Sequence, residues 1–232
     1  MQKFFLLLLL FFIPANNLFV KGTGFINDVL VTNVYELYCE IGLSDMVNYK
    51  AFKQAIAGYS CIEGRKKDIL TLIDYSLPST EKRLYVLDMK NKKLLFVSHV
   101  SHGRNSGGNY ATDFSNKCGS YKSSLGFFLT ENTYQGKNGY SLILNGLEKD
   151  INDKARERAI VIHGAPYANP AVIPSSGRLG RSLGCPALPE AVSKSIIDAI
   201  KGGSLLYIYA NDPTYLAQSA IQSEFEQTNK KI

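Results

Sequence analysis

The sequence predicts a mostly β domain with a short helical N-terminal extension and one late helix. From residue 69 onward, strand-like patterns follow one another without the regular strand and helix alternation of a parallel α/β sheet. Two helical patterns precede these strands, and a third lies before the last of them. A chain of 232 residues can bury one sizeable core. We therefore expect one main domain, residues 61–212.

The first residues are typical of a secretory signal peptide. One lysine precedes the unbroken apolar run 4–13, and Pro14 then interrupts it. That run is too short for a helix that spans a bilayer core of about 30 Å, whereas it fits the apolar part of a signal sequence. We expect residues 1–22 to be removed on export, leaving no membrane span; the alternative is a buried N-terminal helix.

Apolar residues at helical spacing predict two helices in the extension, residues 23–60. The first helix covers residues 27–41 and the second about residues 49–57, and each is followed by a glycine. Apolar stripes of this kind normally face a protein core. We assign them no chemistry.

From residue 69 the periodicity and the turn signals change to those of strands. The predicted strands cover residues 69–75, 83–88, 93–100, 125–130, 140–144, 159–162 and 204–209. The second and third form a hairpin around residues 90–92. A helix over about residues 189–200 starts at a proline and ends before two glycines. The polar tail, residues 213–232, is expected to fray from Ala217.

Two long segments, residues 102–124 and 164–184, match neither pattern. Both are rich in Gly, Asn and Ser, which allow a backbone to approach a ligand closely and donate to it. Loops of this length in a compact domain are usually functional. The second loop is the more informative, because a histidine precedes it and a cysteine follows it.

His163 and Cys185 together supply the parts of a cysteine nucleophile with its general base. A free thiol with a pKa of about 8.5 is only slightly ionised at neutral pH, so it needs such a base. Gly184 suits a tight turn that exposes the sulfur, and the N–H groups of Gly184 and Cys185 are candidate donors to an oxyanion. The alternative is a structural cysteine and a core histidine.

Charge and cysteine content limit the partners. The net charge of +6 suits a polyanionic neighbour such as a cell wall. The basic residues are scattered without a basic helix or aromatic platform, so we expect no nucleic-acid binding. With three histidines and no CxxC pair, we expect no metal site and no cofactor. Cys39 and Cys61 are the best candidates for a disulfide after export, although spacing alone leaves the pairing open.

At the loop ends the sequence resembles the catalytic domain of the murein L,D-transpeptidases. In that family a His-Gly pair follows a core strand, and a variable loop leads to a Ser/Thr-x-Gly-Cys signature. His163-Gly164 and residues 182–185 stand in those places. Residues 78–86, 101–107, 177–182 and 185–189 are similar to one exported branch of the family, and the likeness covers roughly residues 48–210.

The resemblance implies a β-sandwich-like fold and acyl transfer between peptidoglycan stem peptides in a periplasm. Cys185 would attack the carbonyl before a terminal D-residue, and an amine of a neighbouring stem would resolve the thioester. His163 would act as base and then acid, oriented by a carbonyl near Gly164. Ser182 would order the loop, and a carbapenem would be a ligand of the thiol. The oligomeric state stays open.

Two positions depart from the family pattern. The commonest signature has a second histidine where this chain has Leu183, and an Arg or Asn where it has Ala187. Substrate anchoring must therefore come from elsewhere. Arg178 and Arg181 are candidates for holding a substrate carboxylate, and the alternative is ordinary solvation. His102 is a candidate for lining the cleft, or else a satisfied surface histidine.

Three other functions compete with a cross-linking enzyme that also trims stems as an L,D-carboxypeptidase. A family variant would attach or detach a wall-linked protein. A sortase-like transpeptidase would need an arginine after the cysteine, and no arginine follows Cys185. A non-catalytic peptidoglycan-binding module would keep the fold but would have no need of a thiol beside a histidine.

Overall fold

The computed structural model describes residues 34–230, including the side chains up to residue 227. The expected signal peptide and the first part of the first predicted helix lie outside the described residues. The described elements are α1 (34–40), α2 (Tyr49–Cys61), β1 (Ile69–Asp74), β2 (Leu84–Asp88), β3 (Lys93–Ser98), β4 (Gly126–Gly136), β5 (Gly139–Gly146), β6 (Val161–Gly164), α3 (Ile173–Ser176), β7 (Ala187–Leu188), α4 (Glu190–Ile200), β8 (Leu205–Tyr209), α5 (Pro213–Gln218) and α6 (Ala220–Lys230).

All eight strands form one sheet in the order β3-β2-β1-β8-β4-β5-β6-β7. The pairs β1–β8 and β6–β7 are parallel, and the other neighbours are antiparallel. A further bridge joins Ser101, just after one edge strand, to Ala187 in the other edge strand. The sheet is therefore a nearly closed sandwich, and the predicted mostly β class is confirmed.

The predicted strands and the helix after residue 189 are all present, with two additions. The hairpin of β4 and β5 extends beyond the predicted ends and turns between Gly136 and Gly139. Strand β7 was not predicted, because its two residues lie between Pro186 and Pro189 and are too few to show a period. The loop before β7 contains α3 and two short 3₁₀ turns.

Residues 213–230 of the polar tail form the helices α5 and α6, where the sequence predicts fraying from Ala217. The buried Glu148 carboxylate accepts hydrogen bonds from the Ser219 hydroxyl at 2.5 Å and from the Tyr215 hydroxyl at 3.2 Å. From α6, the Gln222 amide donates to the Gln54 carbonyl in α2 at 3.1 Å. These bonds hold the tail, because losing them would leave the desolvated Glu148 carboxylate with the Phe127 N–H, at 2.7 Å, as its remaining described donor.

Helix α4 supports the strand that precedes the long second loop. It buries Ile196, Ile197 and Ile200 in the core. It passes so close to β6 that a Cβ on Gly164 would lie 2.6 Å from the Ser193 hydroxyl oxygen. A side chain directly after His163 would therefore force Ser193 to shift.

The four cysteines are free thiols, and no disulfide joins Cys39 to Cys61. The Cys61 sulfur instead lies 3.2 Å from the Ala57 carbonyl within its own helix. Within residues 34–230, no helix is both long and apolar enough to cross a membrane.

Candidate active site

The parallel pairing of β6 and β7 brings the two ends of the second loop together. His163 in β6 is in register with Ala187 in β7, and Cys185 lies two residues before it. The Cys185 sulfur lies 3.6 Å from the Ala159 carbonyl oxygen. The thiol therefore packs against the chain that carries His163.

A serine and a glycine shape the turn that presents Cys185. The Ser182 hydroxyl donates to the Cys185 carbonyl at 2.6 Å and accepts from the Gly184 N–H at 3.0 Å. Gly184 has φ 128°, and a Cβ there would lie 2.9 Å from both the Lys122 carbonyl and the Ile160 side chain. This conformation and this closeness both require glycine.

The turn leaves one N–H group for an oxyanion. The Gly184 N–H, expected as one of two donors, is occupied by the Ser182 hydroxyl. In the described chain the Cys185 N–H has no hydrogen-bond partner outside its own residue. Gly184 thus shapes the turn, and of the two N–H groups expected to face an oxyanion, the one that is free to donate belongs to Cys185.

The hydrogen bond of His163 fixes its tautomer. Its Nδ1 lies 2.9 Å from the Gly164 carbonyl oxygen. Because a carbonyl only accepts, Nδ1 carries the proton and Nε2 keeps its lone pair. The ring is 3 % exposed, and this burial lowers the pKa of His163 below its ordinary value. Neutral imidazole with a free Nε2 is the form that can accept a proton.

Cys185 is a neutral thiol at rest. The residue is 8 % exposed, and burial raises the pKa of its thiol above the ordinary value, while the Val161 backbone and the Arg158 charge lower it. No hydrogen bond joins the sulfur to the imidazole in the part of the chain described.

His102 lies behind the turn. Its Nδ1 is 2.8 Å from Arg83 Nη2 and its Nε2 is 3.4 Å from the Gly107 carbonyl. Because a guanidinium only donates, Nδ1 accepts and Nε2 carries the proton. The side chain is 1 % exposed, and burial together with the Arg83 charge lowers its pKa to about 4. It supports the turn through its carbonyl, which accepts from the Ser182 N–H at 2.9 Å. Both ring nitrogens have partners, which fits the alternative of a satisfied histidine, although the residue is buried and not at the surface.

The two candidate carboxylate ligands are partly engaged with the loops. Arg181 Nη1 donates to the Arg104 carbonyl at 3.1 Å and to the Gly107 carbonyl at 2.9 Å. Arg178 Nη1 donates to the Leu179 carbonyl at 2.8 Å. Both side chains are half-buried. A guanidinium has five N–H donors, so each retains donors for an anion.

A profile of the L,D-transpeptidase catalytic domain matches residues 43–209, well over half of the chain. The chain belongs to the L,D-transpeptidase family. No curated protein matches the sequence. The structures with similar folds are distant in sequence.

Three such structures illustrate the distance. The L,D-transpeptidase of Mycobacterium smegmatis has 13% identity and a TM-score of 0.40, over 62% of this chain and 59% of that one. The L,D-transpeptidase of Stackebrandtia nassauensis has 15% sequence identity and a TM-score of 0.37, and the match covers 78% of this chain and 77% of that one. The helical cell shape determining protein Pgp2 of Campylobacter jejuni has 14% sequence identity and a TM-score of 0.43, and the match covers 71% of this chain and 53% of that one. This chain thus spans less than two thirds of the length of the mycobacterial protein.

In this L,D-transpeptidase domain the position before Gly184 is open to solvent. Leu183 stands where the commonest signature has a second histidine, and its side chain is 58% exposed. Within residues 34–230, no group of three or more His, Cys, Asp or Glu residues could hold a metal ion.

Sequence reasoning missed three residues that connect the first loop to the turn. The Ser123 hydroxyl donates to the Gly184 carbonyl at 3.1 Å and accepts from the Gly103 N–H. Arg83 is fully buried and donates to the carbonyls of Val100 and Leu77. Arg158 binds the first loop. Arg83 and Arg158 each stand directly before a predicted apolar segment. Such a position could have predicted that these arginines are buried and bound to other groups, since a buried charge needs partners.

Proposed function

We propose that the chain is an exported L,D-transpeptidase that acts on peptidoglycan stem peptides through a thioester at Cys185. The observation that carries the proposal is the parallel β6–β7 pair, which sets His163 in register with Ala187, two residues after Cys185, while the His163 Nδ1 lies 2.9 Å from the Gly164 carbonyl oxygen. A nucleophile, an oriented base and a free N–H donor on neighbouring chain segments are the parts that such an enzyme needs.

In the first step the Cys185 sulfur attacks the carbonyl carbon of the L-centre before the terminal D-residue. The thiol proton passes to His163 Nε2, and the Cys185 N–H donates to the oxyanion. The carbon–nitrogen bond then breaks, and His163 returns the proton to the departing amine. The products are a thioester and a free D-amino acid.

In the second step an amine of a neighbouring stem attacks the thioester, and His163 accepts its proton. The sulfur leaves and is reprotonated as the new amide forms. Water in place of the amine gives L,D-carboxypeptidase trimming. Arg178 and Arg181 retain N–H donors for the substrate carboxylate.

The electrostatics fit a nucleophile that is activated by its substrate. Burial disfavours ionisation of both Cys185 and His163, so the resting pair is neutral and weakly reactive. The expected signal peptide, residues 1–22, would take the chain to a periplasm, where the wall is available. The net charge of +6 suits that anionic wall.

The proposal is tested by incubating the exported form with disaccharide-tetrapeptide muropeptides, and separately with a carbapenem, and recording masses. We expect L,D-linked dimers or tripeptides and one covalent drug adduct. Cys185→Ala should give neither, whereas Cys39→Ala, which removes an exposed thiol on α1, should behave as the wild type.

Unchanged muropeptides together with an unmodified wild-type protein would contradict an enzymatic role. If that protein still retained muropeptides, a peptidoglycan-binding module would replace the proposal. Release or capture of a stem-linked protein without cross-linking would indicate the attachment variant of the family.

A further inference from the structure

The Arg158 guanidinium donates four hydrogen bonds to the first glycine-rich loop, residues 102–124. Its Nη1 donates to the Ser115 carbonyl at 2.7 Å and to the Ser124 hydroxyl at 2.5 Å. Its Nη2 donates to the Lys122 carbonyl at 2.6 Å and to the Ser120 hydroxyl at 3.2 Å. All four acceptors are uncharged, so none of these bonds pairs the guanidinium with a carboxylate. The exposed Cys118, which lies 3.1 Å from the Glu157 carboxylate, and Cys185 are the groups whose charges raise the pKa of Arg158.

The same guanidinium lies against the turn that carries Cys185. The ideal Cβ position of Gly184 is 3.5 Å from Arg158 Nη2 and 2.9 Å from the Lys122 carbonyl that Arg158 binds. A side chain at position 184 would push the Lys122 carbonyl and the Arg158 guanidinium bound to it away from the turn. The guanidinium thus lies within contact distance of Gly184, the residue directly before Cys185.

The carbonyl that contacts the thiol belongs to Ala159, the residue directly after Arg158. The next residue, Ala159, has φ 52°, a left-handed conformation that costs a non-glycine residue energy. Its carbonyl oxygen lies 3.6 Å from the Cys185 sulfur. Because Arg158 is held by four hydrogen bonds, it is well placed to maintain this conformation.

A positive charge beside a thiol favours the thiolate, and it does so more strongly where water is excluded. Arg158 is itself partly desolvated, and burial lowers its pKa. The Arg158 charge acts against the burial that raises the pKa of Cys185. His163 can accept the thiol proton only if the sulfur can hold the resulting charge until the carbonyl is attacked.

We propose that Arg158 is a positioning residue that holds residues 115–124 against the turn of Gly184 and Cys185 and places its positive charge near the sulfur. The proposal rests on Cys185 being the nucleophile of the proposed function. A purely structural clamp would make the same hydrogen bonds but would leave the ionisation of the thiol unchanged. The pH dependence of thiol reactivity therefore separates the two roles.

The test measures alkylation of Cys185 by iodoacetamide as a function of pH, by mass analysis of the tryptic fragment 182–194. The fragment 54–65, which contains Cys61, serves as the internal reference. We compare Arg158→Gln and Arg158→Lys with Arg156→Gln. Arg156 is the matched control, because its side chain is 65% exposed and pairs with Glu131 at 2.6 Å.

Arg158→Gln should move the alkylation midpoint up by about one pH unit, which is about tenfold slower labelling at pH 7. Arg158→Lys should keep the midpoint close to that of the wild type, even if turnover falls, because the charge remains. Arg156→Gln should change neither quantity.

A wild-type midpoint in folded Arg158→Gln would overturn the proposal and leave Arg158 as a clamp alone. If Arg158→Gln does not fold, Arg158→Lys decides, since a shifted midpoint in that variant would exclude the role of the charge. Alkylation does not require turnover. The expected shift in a protein that forms no muropeptide products would therefore refute the transpeptidase proposal but not this one.

Discussion

His163 and His102 are both buried near the same turn, but their surroundings differ in one respect. His163 uses one ring nitrogen, donating Nδ1–H to the Gly164 carbonyl. His102 uses both, accepting at Nδ1 from Arg83 and approaching the Gly107 carbonyl with Nε2. Burial lowers the pKa of both rings. Burial and a shifted pKa therefore do not distinguish the proposed base, His163, from a structural histidine, whereas a free lone pair does.

The two histidines should also differ in how much their substitution changes the stability of the protein. Around His102, the Arg83 guanidinium is 0% exposed and depends on the ring as one of its acceptors. Removing that acceptor leaves a buried donor unsatisfied, which costs stability. Around His163, the Nε2 lone pair has no partner to lose within the described chain. Substitution there should affect chemistry more than folding.

The largest expected effect separates the two histidines by activity. His163→Gln should lower kcat/KM for tetrapeptide muropeptides by about 10²–10⁴-fold, the usual contribution of a general acid–base group. His102→Gln keeps an acceptor for Arg83, so its kcat/KM should fall by less than about tenfold. Initial rates for both variants, with urea unfolding as the check on folding, measure the contrast. Equal losses in two folded variants would contradict it.

A smaller effect concerns stability against pH. His102 has a pKa of about 4 in the folded protein and an ordinary value of 6.5. Between these values the unfolded chain binds a proton that the folded chain does not. Stability is therefore complete above 6.5 and is lost as pH falls toward 4, by about 3 kcal/mol for this one group.

His102→Gln removes this loss, because glutamine does not titrate. Urea unfolding at several pH values between 4 and 7 should show a shallower decline for His102→Gln than for the wild type. The buried carboxyls of Asp74 and Glu148 have raised pKa values and act in the opposite direction, but they are common to both proteins and cancel in the comparison. Parallel curves would show that His102 is not protonated on unfolding in this range.

Much of this fold follows from periodicity in the sequence, because most strands are long enough to show it. The two residues of β7 are not, and their pairing with β6 depends on where a distant strand lies. The tail helices were missed for a similar reason. The polar composition of the tail suggests fraying, whereas its order depends on the buried carboxylate of Glu148 far away in the chain.

For the site, the residues at the loop ends could be chosen from the sequence, since thiol and imidazole chemistry is specific to Cys and His. Which ring nitrogen is free, and which N–H groups are occupied, could not be chosen. The bond from Gly184 to the Ser182 hydroxyl and the bond from Arg83 to His102 depend on backbone geometry in two loops. Composition identifies such loops as functional but does not assign their hydrogen bonds.

The smallest expected effect tests whether one histidine is enough. Leu183 is exposed, so Leu183→His should change the free energy of unfolding by less than about 0.5 kcal/mol. A solvated imidazole at that position has an ordinary pKa and no fixed partner. If His163 alone transfers the proton, kcat should stay within about threefold of the wild type, with no new ionisation in its pH profile. An increase of tenfold or more, accompanied by a second ionisation near pH 6.5, would mean that the site gains from a second histidine. That result would also show that the free lone pair of His163 does not by itself set the rate. A free ring nitrogen, which His163 has and His102 lacks, would then indicate where a base can act but not how fast the reaction proceeds.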